Sequence, residues 1–173
     1  MKVLGVDAAL RKTGLALVRD DELVYYDSFS SGSERTPTPY RLHAISLKVR
    51  DLIDELKPDL IVIEKPGRWV RGKSNTSIET IEALAKSRAA IEIGAAILHI
   101  PTAEIHVNKA RELILGAPHY PGNGRIKDAV RRAIRLRTGI DIEDPDAADA
   151  AVIALAGYSL LMAGDRDFQA PTK

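Results

Sequence analysis

Two short apolar runs each close on an acid: Lys2–Asp7 (KVLGVD) ends at Asp7, and Leu60–Glu64 (LIVIE) ends at Glu64. Continuous apolar residues without polar alternation suit central strands covered on both faces. Such a strand demands helices above and below it, which points to a layered α/β chain. If the two runs are parallel neighbours, both carboxylates stand at the same edge of the sheet. That edge is where open α/β sheets place their ligands. A charge directly after four buried aliphatic residues costs free energy unless something partners it. The plain alternative for Asp7 is a turn residue, and it stays open at this point.

The rest of the chain fits around these strands. Gly14–Val18 and Leu23–Phe29 read as two further strands with short connections, which favours an antiparallel meander with the first. Tyr40–Leu56 has helical spacing and stops before Pro58. Ile78–His99 reads as a helix rich in Ala and Gly, Thr102–Val107 as a short strand, and Asn108–Leu115 as a helical turn. Ile126–Arg137 is a basic amphipathic helix, and Asp144 and Pro145 form an N-cap and N1 pair for a last helix to about Met162. The expected fold is a mixed five-stranded sheet, a three-stranded antiparallel meander plus parallel strands, with helices on both faces. Its length of 173 residues suits one domain, expected over 1–163 with a flexible tail over 164–173.

The chemistry must rest on carboxylates. The chain has no Cys, and its four His (His43, His99, His106 and His119) make no close metal-binding pair. Asp146 and Asp149 are three apart in the first turns of the last helix, so they share a face. If that helix packs on the first strand, four carboxylates converge and cannot all remain ionised unaided. Divalent cations such as Mg²⁺ or Mn²⁺ resolve the conflict, and two of them can serve an in-line phosphodiester displacement. Acids early in a helix also favour its dipole, a structural role that competes with the metal-binding one.

Net charge is only +1, but its distribution is uneven. Lys65–Lys73 carries four cations and no acid, and 104–137 carries eight cations against three acids. Residues 138–150 then hold five acids and no cation. Cations to grip a phosphate backbone beside carboxylates to grip metal suit a phosphodiester-cutting enzyme. A mixed, solvated surface is the alternative.

In order along the chain, GVDAALRKTGLAL (5–17), VIEKP (62–66), KSRAAIEIGAA (86–96), IHVNKARELILG (105–116), GNGRIKDAV (122–130) and DAADA (146–150) together resemble the RuvC family of Holliday junction resolvases, within the RNase H-like nucleases. The resemblance implies Asp7, Glu64, Asp146 and Asp149 as catalytic metal ligands, with Mg²⁺ or Mn²⁺ and two ions per site. It implies Lys109 and Lys127 as catalytic cations near the scissile strand. DNA contacts are expected from Arg68, Trp69, Arg71, Lys73, Lys109, Arg125, Lys127 and Arg131. It further implies a homodimer that nicks branched DNA symmetrically, and branch-migration proteins as partners. Two departures stand out: Ala8-Ala9 replaces the family's Pro-Gly, and Trp69 stands where the family often has Phe.

Three other readings compete. The start also resembles the first phosphate loop of actin-like sugar kinases, but the second loop is missing. A YqgF-like RNA-processing nuclease would share the fold, and a non-catalytic DNA-binding scaffold would share the basic stretches. No continuous apolar run reaches the ~18 residues of a membrane span and no leader is evident, so a cytoplasmic protein is expected.

Overall fold

The structure is a computed structural model and describes residues 1–65, 77–116 and 123–168. Five strands, β1 (Lys2–Asp7), β2 (Lys12–Arg19), β3 (Glu22–Ser30), β4 (Leu60–Lys65) and β5 (Thr102–His106), form one sheet in the order β3-β2-β1-β4-β5. β1–β2 and β2–β3 pair antiparallel, whereas β1–β4 and β4–β5 pair parallel. This is the meander plus parallel strands expected from the sequence.

Five helices complete the described chain: α1 (Thr38–Leu56), α2 (Ile78–Ile97), α3 (Val107–Leu115), α4 (Asn123–Thr138) and α5 (Pro145–Met162). The sheet separates two cores. On one face Leu4, Val6, Leu15 and Leu17 pack with Ile45, Val49 and Leu52 of α1 and Ile91 of α2. On the other, Val3, Ala16 and Val62 pack with α5 and with Ala110, Val130 and Ile134 of α3 and α4. The period-two alternation of β1 and β2 between these cores is why both read as uninterrupted apolar runs.

α5 sits closest to the sheet, for a reason visible in its composition. Ala147, Ala148, Ala150, Ala151, Ala154 and Ala156 are all buried. Part of this surface, at Ala147, Ala150 and Ala154, faces strand positions that lack a side chain. A β-carbon on Gly5 would lie 2.4 Å from the Ala150 carbonyl oxygen and 2.4 Å from the Ala154 amide nitrogen. A β-carbon on Gly14 would lie 2.0 Å from the Asp146 carbonyl oxygen. Helix and sheet therefore meet backbone to backbone, and the first turn of α5 is fixed over the end of β1. By length and composition α5 could span a bilayer, yet 56% of it is buried within the protein, as a core helix would be.

Local signals set the other boundaries. Asp144 caps α5 by accepting from the Asp146 and Ala147 amides, with Pro145 in the first turn. Ser77 caps α2 by accepting from the Thr80 amide. α2 ends at Ile97, two residues short of the sequence expectation, where Leu98 closes it and His99 takes a positive φ of 56°. Beyond α5 most residues are exposed, but Phe168 is only 5% exposed and joins the core that includes α5.

Candidate active site

Register brings the first two acids together. Val6 of β1 pairs with Ile63 of β4, so Asp7 and Glu64 are the next residues along two parallel neighbours. Their carboxyl groups lie within hydrogen-bonding reach of one another. Burial pushes Asp7 up to about 8, with Glu64, Asp149 and Asp146 adding repulsion. Burial also raises Glu64, with Asp149 adding to the effect; the bond to Asp7 and the charges of Arg111 and His106 act against it. Two acids in one dehydrated place resist ionising together.

α5 adds the other two acids, in unequal positions. Asp149 lies over the pair, and burial raises it, opposed by Arg111 and Lys127. Its carboxylate is 3.4 Å from Arg111 Nη2, and both side chains are largely buried, at 22% and 17% exposed. Arg111 Nε is also buried and has no hydrogen-bond partner among the described residues. Asp146 contributes least to the repulsion on Asp7. Its carboxylate is instead 3.1 Å from Lys12 Nζ, at the start of β2. Among the described residues, no three acidic or histidine side chains lie close enough in this arrangement to hold one ion together.

The cations fall at different distances from this cluster. Lys127, on α4, is near enough to act on Asp149. Lys109 of α3 is half-exposed and lies 3.9 Å from Glu112. Arg111, two residues further on, is the α3 cation that reaches the acids, and sequence reasoning passed over it. The available signal was an arginine one turn before Ile114 and Leu115, on the stripe of α3 packed against the core. Lys12 was also passed over. Arg131 and Arg135 lie 3.3 Å and 3.8 Å from Asp141, away from the acid cluster. Arg125 lies in the first turn of α4 with its side chain outside the described part, and Arg68, Trp69, Arg71 and Lys73 fall in 66–76, also outside it.

The donor set suits a hard divalent cation. All four candidate ligands are carboxylates, and no thiolate exists in the chain. Asp7 and Glu64, both raised by burial, mark a place where positive charge would be stabilised, and a divalent ion can supply it.

A mixed sheet in this order, with acids at adjacent strand ends and a helix laid over them, defines the class: an RNase H-like fold. The structure of T. thermophilus RuvC in complex with Holliday junction substrate superposes with a TM-score of 0.79 at 18% identity, covering 95% of this chain and 97% of that one. The family model described as "Crossover junction endodeoxyribonuclease RuvC" matches residues 3–157, and the chain belongs to that family. A crossover junction endodeoxyribonuclease RuvC from Syntrophomonas wolfei subsp. wolfei is 29% identical over 161 residues, 90% of this chain and 87% of its own length. The protein of the same name from Herminiimonas arsenicoxydans is 28% identical over 173 residues, 95% of this chain and 89% of its own.

Proposed function

We propose that this chain is a structure-selective endodeoxyribonuclease that resolves four-way DNA junctions by metal-dependent phosphodiester hydrolysis. The observation that carries the reading is the buried Asp7–Glu64 pair at the ends of two parallel neighbouring strands, with Asp149 above it. Asp7, Glu64, Asp146 and Asp149 would hold Mg²⁺ or Mn²⁺, two ions in the full complement. Bound there, the ions supply Lewis-acid polarisation of the scissile phosphate and lower the pKa of the attacking water. Arg111 and Lys127 hold the negative phosphate against this acidic floor. The basic segment after Glu64, with Arg68, Arg71 and Lys73, would grip the flanking backbone, and Trp69 would stack on an opened base. Arg125, Arg131 and Lys109 extend the cationic surface.

Two chains act together on the two symmetric strands of a junction. The outward face of α2 supports this assembly: Ile93 and Ile97 are 58% and 55% exposed beside Ala89 and Ala96. The inward face is already occupied, with Gly94 only 3.3 Å, at its β position, from the Ser46 carbonyl of α1. One domain over 1–163 carries the whole activity.

The test is a parallel cleavage assay with Mg²⁺ on four-way junction, duplex, flap DNA and RNA hairpins. Junction cutting by the parent chain, lost at least ~100-fold in Asp7→Asn and Asp149→Asn while junction binding in Ca²⁺ persists, supports the reading. Preferential cutting of the RNA hairpins would replace it with an RNA-processing role.

A further inference from the structure

Lys12 stands between two carboxylates that are tied down very differently. Asp144 has one oxygen committed to the Asp146 and Ala147 amides, at 3.0 Å and 3.1 Å, and gives the other to Lys12. It cannot leave without uncapping α5. Asp146 accepts Lys12 at 3.1 Å, and no other salt-bridge partner holds its carboxylate among the described residues. Its backbone is pinned over Gly14, but the side chain can turn about its own torsions.

We propose that Lys12 is a positioning residue that keeps Asp146 apart from Asp7, Glu64 and Asp149 until a divalent cation takes its place. The inference rests on the reading of Asp146 as a metal ligand. Without metal, a fourth carboxylate turned toward the other three would meet only repulsion. The Lys12 ammonium neutralises it at a short distance from where it is needed. When a cation binds among the acids, its double charge outcompetes the single charge of the ammonium. Asp146 then turns inward, and Lys12 stays on Asp144, so no charge is stranded. The exchange is easy because both side chains are partly solvated, Lys12 at 41% and Asp146 at 32% exposed. Lys12 therefore makes entry of the fourth ligand depend on metal.

Mn²⁺ titration calorimetry on the DNA-free chain tests this without any turnover. Lys12→Met should bind Mn²⁺ about two- to fivefold more tightly, the range expected for removing a partly solvated ion pair. Lys12→Arg, which keeps the pair, should match the parent. Asp146→Asn should weaken binding, and adding Lys12→Met to Asp146→Asn should change nothing further. Melting curves in EDTA verify that each variant folds. Equal tightening by Lys12→Met with Asp146 and with Asn at 146 would mean that Lys12 acts only through the general field, and the proposal fails. Unchanged or weaker binding by Lys12→Met also overturns it. If Asp146→Asn alone leaves Mn²⁺ affinity intact, the ligand assignment falls and the proposal falls with it.

Discussion

Gly14 lies directly beneath Asp146: a β-carbon on the glycine would come within 2.0 Å of the aspartate's carbonyl oxygen and 2.4 Å of its carbonyl carbon. Because the obstacle is helix backbone, no side-chain rotation relieves it. Gly14→Ala should therefore lift the first turn of α5, costing about 2–3 kcal/mol or more in urea unfolding. Cleavage should fall further than stability, since both α5 acids move. A Gly14→Ala chain with parental stability and activity would show that α5 does not need this contact.

The metal-free chain should lose stability as pH rises. Asp7 and Glu64 are raised above their ordinary values, so their protonated forms favour folding. Their contribution is complete below the ordinary carboxylate value of 3.8 and is lost as pH climbs through the folded value of about 8 for Asp7. The unfolding free energy from urea titrations in EDTA should fall between about pH 4 and pH 8, by an amount on the order of a few kcal/mol. Asp7→Asn should flatten the profile, and Mg²⁺ should restore the high-pH loss. A flat profile in the parent chain would show that Asp7 is not raised.

Arg111 offsets the upward push of burial on Asp149. Arg111→Gln should let Asp149 rise further, so that metal binding and cleavage need a higher pH. The acid limb of the Mn²⁺-dependent rate should move to higher pH, with the rate at pH 7 down at least ~10-fold. Arg111→Lys should recover part of the loss, because it restores the charge without the planar fork. An acid limb that stays in place in Arg111→Gln would remove Arg111 from the site.

The outward face of α2 should report on assembly. Ile93→Asp and Ile97→Asp place charges where two apolar faces would meet, and both positions are more than half exposed in one chain. Each variant should melt like the parent monomer but sediment as a monomer at micromolar concentration. Symmetric nicking of a junction should then give way to single nicks. Dimers that persist in the double variant would put the interface elsewhere.

Much of this site could be read from the residues because its parts are local. An acid after four aliphatic residues marked Glu64, and the Asp144–Pro145 pair marked the start of α5. What the sequence hid depends on rotation and on distance along the chain. Lys109 and Arg111 are two residues apart, about 200° around a helix, so only one can face the acids. The packing of Ala110, Ile114 and Leu115 decides it for Arg111. Lys12 meets Asp144 across 132 residues of chain, and no spacing rule connects them. The unequal placement of Asp146 and Asp149 follows from the same long-range contact, although the shared DAADA motif suggests equivalence.

The closeness of α5 to β1 also bears on when the proposed site can assemble. The four carboxylates proposed to hold metal are shared between β1, β4 and α5. On the ribosome, segments emerge in sequence, and α5 comes out after every other helix and strand described here. Until it docks over Gly5 and Gly14, a nascent chain carries Asp7 and Glu64 without Asp146 or Asp149. On the proposed reading, products that lack α5 should not cut nucleic acid, so cleavage waits on the docking of that helix.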